Sequence, residues 1–244
     1  MAGMEKNIKS PGRNGCSQCE LKGLCLPATL SPAETIEFEA IIPHKREIKR
    51  GATVFSEGDA FDALYAIRKG VFKTFISLDD THKQTMGFHV AGEMIGSDGL
   101  ATERHTCTAV ALEDGQVCVL PFEKLERLAA DIPDLQRHLY RTIGQEIVRC
   151  QKVMLLLGNM HADVRLATFL LELMQRRYAH DTPANELVLP MTRGEIGNYI
   201  GLEIETISRA LSRLKAQKII QVKSRHLQII DPKKLQQLVV SRMS

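Results

Sequence analysis

The 244-residue chain lacks tryptophan, and no apolar run in it approaches the ~20 residues that span a bilayer. Its first 25 residues mix Lys, Arg, Asn and Gly, so the apolar core of a secretory signal is missing as well. Apolar residues still make up 44% and charged residues 25%, as in an average globular protein. These features exclude a disordered, collagen-like or membrane-spanning chain, and we expect a cytoplasmic protein with no membrane partner.

Catalytic motifs are missing too. No Ser/His/Asp-type arrangement and no paired-carboxylate motif stands out, and no alternation of strands and helices predicts a nucleotide-binding parallel sheet. We therefore expect a binding protein rather than an enzyme. An iron–sulfur redox enzyme is the alternative from a different class.

Positive charge is concentrated towards the C-terminal end. Residues 191–244 carry ten Lys/Arg against four Asp/Glu, a net charge of +6, whereas the preceding 190 residues sum to −3. A basic module beside a mildly acidic body favours a polyanionic partner at that end. On charge alone, the alternative is a solvated surface with an accidental asymmetry.

Cysteine is unevenly distributed, with three residues crowded near the start and three scattered. The six are Cys16, Cys19, Cys25, Cys107, Cys118 and Cys150. Clustered thiols without a secretory signal are typical of metal ligands or redox thiols rather than of structural disulfides. Three thiolates leave a four-coordinate site incomplete, so the fourth ligand is one of the scattered cysteines or a histidine. A single Cys-x-x-Cys pair favours an iron–sulfur cluster over zinc, with a redox thiol pair as the third possibility.

Strand signals dominate the segment from residue 47 to about residue 120. Short apolar runs at 53–55, 64–67, 71–78 and 116–120 are separated by turns that contain Gly and Asp. Several short strands at nearly regular spacing predict an antiparallel roll, barrel or sandwich.

A long helix is predicted from Pro133 to about Met160, because seam residues recur there at steps of three and four. A seam of this length favours a dimeric coiled coil over a helix that packs only on its own domain. A shorter helix at 30–42 is predicted from the capping box of Ser31 and Glu34. The residues assigned to dimerisation are Leu139, Ile143, Glu146, Ile147, Cys150, Val153 and Leu157.

The C-terminal part has the pattern of a winged helix-turn-helix. After an amphipathic helix at 162–177, Thr192 and Glu195 form a capping box that opens a short helix, and Gly201 ends that helix. A second helix is predicted at 203–217, and two short apolar runs beyond it predict a hairpin wing.

Polar residues on one face of this second helix indicate DNA recognition. Glu205, Ser208 and Arg209 lie at steps i, i+3 and i+4 near its N-terminal end, the part of a recognition helix that reaches base edges. Arginine donates to guanine, serine bonds either way, and glutamate accepts from an exocyclic amine. Arg213 follows as a candidate phosphate contact. The alternative is an exposed Glu205–Arg209 ion pair, but the surrounding helix-turn-helix pattern favours DNA.

Several short segments, which follow one another in unbroken order along the chain, point to a particular protein family. They are Cys16-x2-Cys19-x5-Cys25, Leu64-Tyr65-Ala66-Ile67-Arg68, Gly87-Phe88-His89, Val117-Cys118, Pro121-Phe122-Glu123, Thr192-Arg193-Gly194 and Glu205-Thr206-Ile207-Ser208-Arg209. With these segments, the chain from about residue 16 to residue 231 resembles an oxygen-responsive regulator of the fumarate–nitrate reduction (FNR) type, within the cyclic-AMP receptor superfamily.

The resemblance implies an α+β fold with an N-terminal antiparallel β-roll like that of cyclic-nucleotide-binding domains, a long dimerisation helix and a C-terminal winged helix-turn-helix. The expected domains are a cysteine-rich flap at 1–27, the roll at 28–132, the dimerisation helix at 133–160 and the DNA-binding domain at 161–244. In such regulators the fourth ligand lies in the strand before Pro-Phe-Glu, which selects Cys118.

The resemblance also implies a mechanism. A [4Fe–4S] cluster on Cys16, Cys19, Cys25 and Cys118, assembled without oxygen, favours a homodimer that binds double-stranded DNA at an inverted repeat of TTGAT half-sites. Oxygen degrades the cluster and the protein releases DNA, and RNA polymerase is the further partner. A regulator of the same fold that senses through a thiol–disulfide switch or zinc is the alternative.

Three features depart from the family pattern, and a fourth separates the chain from cyclic-AMP binders. Glu20 adds a negative charge beside the second ligand, which can alter the potential of a cluster. Cys150 replaces a seam acid whose repulsion opposes dimerisation, so we expect the cluster-free chain to dimerise more readily. Glu203 is a poor N-cap for the recognition helix. Thr106-Cys107-Thr108 replaces the Arg-Ser pair of cyclic-AMP binders, which makes a cyclic nucleotide the weaker effector.

Overall fold

The computed structural model describes residues 15–79, 82–177 and 185–240, so the first half of the predicted flap lies outside the described residues. The strands are β1 (Lys45–Ile48), β2 (Thr53–Phe55), β3 (Ala63–Lys69), β4 (Phe72–Ser77), β5 (Lys83–His89), β6 (Met94–Ile95), β7 (Thr108–Ala111), β8 (Gly115–Pro121), β9 (Glu186–Val188), β10 (Ile220–Lys223) and β11 (His226–Ile229). The helices are α1 (Pro32–Ala40), α2 (Phe122–Asp131), α3 (Pro133–Asn159), α4 (Ala162–Arg177), α5 (Arg193–Ile200), α6 (Ile204–Ala216) and α7 (Pro232–Val240). No helix in the described ranges is long and apolar enough to cross a membrane.

The first eight strands form an antiparallel β-roll of two four-stranded sheets. One sheet has the order β1-β8-β3-β6 and the other has the order β2-β7-β4-β5. Because successive side chains point to opposite faces of a strand, Ile67, Phe72 and Val117 are buried together between the sheets. All four apolar runs that predicted strands lie in this roll, and the predicted fold class is confirmed.

A second apolar layer covers the outer face of the first sheet. Leu26 from the N-terminal segment, Phe38 from α1 and Leu125 from α2 pack there on Leu64 and Leu120. Because all five side chains are buried, the cysteine-bearing segment is held against the sheet by apolar packing.

The long helix α3 begins at Pro133, where the missing N–H of proline costs no hydrogen bond. Its first two turns belong to the outer layer of the roll, since Leu135 and Leu139 are buried among its side chains. Beyond these turns the helix exposes much of its surface on the way to the C-terminal domain.

The C-terminal domain is a winged helix-turn-helix, as predicted. Thr192 and Glu195 make both hydrogen bonds of the capping box at the start of α5. Gly201 ends α5 with φ of +66°, a left-handed conformation that glycine adopts without strain. The predicted wing is the β10–β11 hairpin, and β9 pairs with β11 as a third strand. Neither β9 nor α7 was predicted from the sequence.

The roll and the C-terminal domain share one apolar core. Phe88 from β5, Phe169 from α4 and Tyr199 from α5 form an aromatic cluster with ring centroids 5.3 to 6.0 Å apart. An ion pair of 2.7 Å between Lys73 on β4 and Glu195 on α5 borders this core. The first helix of the helix-turn-helix is therefore packed directly on the roll.

Candidate metal centre and nucleic-acid interface

The four candidate ligands meet on the outer face of β8. A short 3₁₀ turn carries Cys16, the loop after it carries Cys19, and Cys25 is the N-cap of the next 3₁₀ turn. Cys118 lies in β8, where its cross-strand neighbour is Lys45 of β1. All four thiols line one small apolar cavity. The structure thus brings together the residues that the sequence and the resemblance selected.

The alternation of side chains along β8 aims Cys118 at this cavity. Val117 and Val119 face the space between the two sheets, whereas Cys118 and Leu120 face the outer layer. Leu26, which is 3% exposed, anchors the segment next to Cys25 in the same layer.

The surroundings of three of these thiols oppose the thiolate form. Burial raises the pKa of Cys25 to about 12 and the pKa of Cys16 to about 11, and neighbouring thiols add to both shifts. Burial also raises the pKa of Cys118, although Lys45 and Arg68 partly oppose the rise. Thiols with such pKa values stay protonated at neutral pH, so metal binding must displace their protons.

The donor set consists of four thiols, which can serve a zinc ion or an iron–sulfur cluster. Within the described residues, no three His, Cys, Asp or Glu side chains converge on a point that could hold one metal ion. A structural zinc site needs four ligands on one centre, whereas a four-iron cluster takes each thiolate on a separate iron. Glu39 accepts a hydrogen bond from the backbone N–H of Cys16 at 3.2 Å and places an acid beside the thiols.

The two remaining cysteines lie elsewhere. Cys107 is buried between the sheets of the roll, and both burial and the nearby Asp98 raise the pKa of its thiol. Cys150 is exposed on α3. Neither lines the cavity of the other four, which agrees with their exclusion as ligands.

Two acids of the roll near Thr106-Cys107-Thr108, the residues that replace the Arg-Ser pair of cyclic-AMP binders, are paired with the chain's own groups. Asp98 accepts a hydrogen bond from the backbone N–H of Thr106 at 2.7 Å. Glu93 is buried and pairs with Arg176 at 2.6 Å and with Arg149 at 3.0 Å. The two arginines hold the pKa of the Glu93 carboxyl at about 2, against the effect of its burial.

The recognition helix α6 buries one face and exposes the other. Ile207 and Leu214 are buried, while Glu205 and Arg209 are exposed on the opposite side. The Nε of Arg209 donates to the backbone oxygen of Glu205 at 3.4 Å, and no side-chain ion pair joins the two residues in the part of the chain that the structure describes. Glu203 is the N-cap and its side chain makes no capping hydrogen bond, as expected for a poor capper.

Two arginines change the predicted interface. Arg213, predicted to contact phosphate, is held by both carboxylate oxygens of Asp163 on α4, the shortest contact being 2.6 Å. Arg193, which the sequence analysis missed, is exposed and donates to the hydroxyl of Ser208 at 3.3 Å. A basic residue in the first turn of a helix opposes the helix dipole, and this unfavourable placement is the signal that could have revealed Arg193.

Part of the predicted dimer seam is used within the chain. Leu139 is buried in the outer layer of the roll, and Val153 packs on the core of the C-terminal domain. Leu139 is 6% exposed and offers little surface to a second copy, whereas Val153 is only half-buried, and the assignment of both to the dimer seam stays a prediction. Ile143 is half-buried against the outer layer, and Glu146 pairs with Arg149 at 2.8 Å.

The exposed apolar face of α3 is centred on Ile147, one of the predicted seam residues, and on two residues outside the prediction. Tyr140, Ile147 and Met154 are 62%, 55% and 63% exposed and recur every seven residues. Cys150 and Leu157, two more of the predicted seam residues, are exposed at the border of this face. Tyr140 and Met154 were not predicted as seam residues, because α3 is apolar on more than one side and the heptad pattern does not show which side the chain itself covers.

Comparisons with known proteins identify both domains. Residues 45–131 match the family model of the cyclic nucleotide-binding domain, and residues 164–238 match that of the Crp-like helix-turn-helix domain. The chain is 41% identical over 225 residues to the transcriptional activator protein Anr of Pseudomonas protegens, with 92% of each chain covered. The chain belongs to the FNR-type branch of the cyclic-AMP receptor superfamily. This FNR-type protein is therefore a transcription regulator with a DNA-binding helix-turn-helix, and not an enzyme.

Two further comparisons agree with this membership. The chain is 37% identical over 234 residues to the fumarate and nitrate reduction regulatory protein of Vibrio cholerae, covering 96% of this chain and 94% of that one. It superimposes on the structure of FixK2 from Bradyrhizobium japonicum with a TM-score of 0.72 at 30% identity, covering 80% of this chain and 96% of that one.

Proposed function

We propose that this FNR-type protein is an oxygen-responsive regulator that binds an inverted-repeat DNA site as a homodimer. Cys16, Cys19, Cys25 and Cys118 would hold a [4Fe–4S] cluster, which supplies an oxygen-labile link between the N-terminal segment and the roll. The observation that carries the proposal is the meeting of these four thiols around one apolar cavity. Oxygen degrades the cluster, and the protein then releases its DNA.

The N-terminal segment is coupled to α3 through a shared apolar layer. Leu26 and Leu30, which follow Cys25, are buried together with Leu135 and Leu139 in the first turns of α3. Tying the cysteines to β8 restrains this layer, and the restraint biases the position of α3. When the four thiols are released from one another, the bias is lost.

The exposed face of α3 supports the homodimer. Large apolar side chains in one continuous stripe on a soluble surface are typical of an interface, and Tyr140, Ile147 and Met154 form such a stripe. A twofold axis along it places two copies of α6 for two half-sites of an inverted repeat. We propose RNA polymerase as the further partner on the basis of family membership, and the cytoplasm as the compartment.

Serine replacements test the ligand set. In protein purified without oxygen, replacing any one of Cys16, Cys19, Cys25 or Cys118 should abolish the iron chromophore and DNA binding, because each thiolate holds its own iron. Cys107→Ser is the matched control and should leave both nearly intact, since Cys107 is buried in a different core. The measurements are iron and acid-labile sulfide content, a visible spectrum and a DNA titration.

Two results would count against the cluster. A colourless wild-type protein with one zinc per chain would show that the four thiols hold zinc and not an iron–sulfur cluster. If the DNA affinity of iron-free protein changes when its thiols are oxidised and reduced, the sensor is a disulfide switch and not an iron–sulfur cluster.

A second experiment tests the recognition face. Arg209→Ala should remove the preference for the half-site guanine at a cost of about 1–3 kcal/mol, because an exposed guanidinium there can donate bidentately to that base. Arg213→Ala should weaken binding to all sequences alike, since Arg213 fastens α6 to Asp163. Fluorescence anisotropy titrations against single-base variants of the site measure both effects. Full base discrimination in Arg209→Ala would move the recognition face elsewhere.

A further inference from the structure

One arginine of α4 joins the end of the dimerisation helix to the turn of the helix-turn-helix. The guanidinium of Arg165 donates to the backbone oxygens of Leu157 and Met160, at 3.0 and 2.8 Å, where α3 ends. The same group donates to the backbone oxygens of Ile200 and Gly201, at 3.1 and 3.2 Å, where α5 ends. A single side chain therefore binds the C-terminal ends of two different helices.

The chemistry of this junction requires arginine. The last carbonyls of a helix lack partners within the helix, and its C-terminal end carries a partial negative charge. Two such ends brought together repel each other unless a cation lies between them. Guanidinium supplies that charge together with five donors in a rigid fork, whereas the ammonium of lysine has three donors on one atom.

The two helix ends also touch directly. A methyl group at Gly201 would lie 2.6 Å from Cδ2 of Leu157, so the absence of a side chain lets the last turn of α3 approach the turn between α5 and α6. Any rotation or shift of α3 at Leu157 therefore reaches the start of α6 through Arg165 and through this contact.

We propose that Arg165 is a positioning residue that fixes the orientation of the recognition helix relative to α3, and thereby sets the half-site spacing that a dimer accepts. The inference rests on the proposed function as a DNA-binding dimer. In such a dimer the two α3 helices define the axis, so the junction at Arg165 decides how far apart the two copies of α6 lie.

The consequence is a geometric form of specificity. Two linked recognition helices bind much more tightly than one only when both half-sites lie at the separation that the protein presents. A rigid junction makes binding strong at one spacing and weak at others. A loosened junction lowers affinity at the preferred spacing and flattens the dependence on spacing.

The experiment compares Arg165→Gln and Arg165→Lys with the wild type, each purified without oxygen. Fluorescence anisotropy gives the affinity for inverted repeats of TTGAT with the preferred spacer, with spacers one base pair shorter or longer, and for a single half-site. Arg177→Gln is the matched control, because it removes the same charge from α4 while Arg177 bonds to Val188 and not to the two helix ends. Sedimentation and thermal unfolding verify that each variant is a folded dimer.

We expect Arg165→Gln to lose about tenfold in affinity at the preferred spacer and about threefold or less at the altered ones, with half-site binding unchanged. Arg165→Lys should show affinities between those of the wild type and Arg165→Gln, because one ammonium can bond to only part of the junction. If Arg165→Gln fails to fold, Arg165→Lys provides the test. Arg177→Gln should keep the wild-type profile.

A wild-type spacing profile in both Arg165 variants would overturn the positioning role and leave the proposed function standing. An equal loss on the half-site would overturn it as well, since it would mean that the recognition face itself is damaged. A wild type that binds no inverted repeat at any spacing would overturn the proposed function and this inference together.

Discussion

The buried histidine His89 shows how a single side chain can tie stability to pH. Its Nε2 lies 3.0 Å from the hydroxyl of Thr74, and no partner reaches its Nδ1 within the described part of the chain. Burial lowers the pKa of His89 to about 4, with a further contribution from Arg149 and Arg176. His89 is therefore neutral in the folded protein at any pH near neutrality.

The folded protein should lose stability as pH falls from about 6.5 to about 4. In this window the unfolded chain binds a proton at His89 that the folded chain does not, which costs roughly 2 kcal/mol between pH 7 and pH 5. His89→Gln, whose amide can still bond to Thr74, should abolish this part of the pH dependence. Urea unfolding at both pH values, with reductant present, measures it. The exposed His226→Gln serves as control, and an equal pH dependence in wild type and His89→Gln would assign the effect to other groups.

The helix α3 is the element on which sequence and structure differ most. Its N-terminal turns pack on the outer layer of the roll through Leu139, and its C-terminal turns pack on the DNA-binding domain through Val153, while a separate stripe stays exposed. A helix that is apolar on more than one side meets several partners at once. The exposed stripe at Tyr140, Ile147 and Met154 is what remains for a second copy.

Placing an acid on this stripe should block dimerisation. Ile147→Glu brings two carboxylates together across the twofold axis, a repulsion on the order of a few kcal/mol in an apolar seam. Gln145→Glu adds the same charge on the other side of α3 and should leave the dimer intact. Sedimentation of cluster-loaded protein, with reductant present, distinguishes the two variants. Equal dimer fractions in both would place the interface elsewhere.

Position 150 gives a graded version of the same test. Cys150→Asp should lower the dimer fraction of cluster-free protein, because the wild-type thiol carries little charge at the border of the exposed face. Partial desolvation of its sulfur and the neighbouring Glu146 raise the pKa of Cys150, which keeps the thiol neutral. If cluster-free wild type and Cys150→Asp sediment alike, residue 150 does not set the dimer equilibrium.

At the scale of the whole molecule, the sensor and DNA-binding domains are one packed unit. The aromatic cluster of Phe88, Phe169 and Tyr199 crosses between them. The buried carboxylate of Glu93 on the roll pairs with Arg149 of α3 and Arg176 of α4. The roll, α3 and α4 meet at this carboxylate, so a displacement of one of them alters the ion pairs that it makes with the other two.

Phe88→Ala should uncouple the domains. The substitution removes a fully buried ring from the shared core at a cost of roughly 3–5 kcal/mol, and most of that loss falls on the contact between domains. Calorimetry should show one unfolding transition in the wild type and two in Phe88→Ala. Phe55→Ala, within the core of the roll alone, should lower the transition without dividing it. A single transition in both variants would mean that the two domains unfold together even without the aromatic cluster.

Much of the fold could be predicted because its signals are local. The capping boxes at Ser31 and Thr192 and the left-handed turn at Gly201 depend on residues within four positions of one another. Four of the eight strands of the roll, β2, β3, β4 and β8, followed from short apolar runs between turns. By contrast, neither β9 nor α7 was predicted. The strand β9 has only three residues and forms through its pairing with β11.

The sequence by itself determined the chemistry available to this protein: three thiols within ten residues, a fourth before Pro121, and an exposed Arg209 behind a glycine turn. Only the tertiary structure decided which stripe of α3 is left exposed, that Asp163 holds Arg213, and that Arg165 lies between two helix ends. The physical reason is range. Caps, turns and ligand spacings act between near neighbours, whereas burial and long-range ion pairs depend on surfaces that meet only when distant segments pack together.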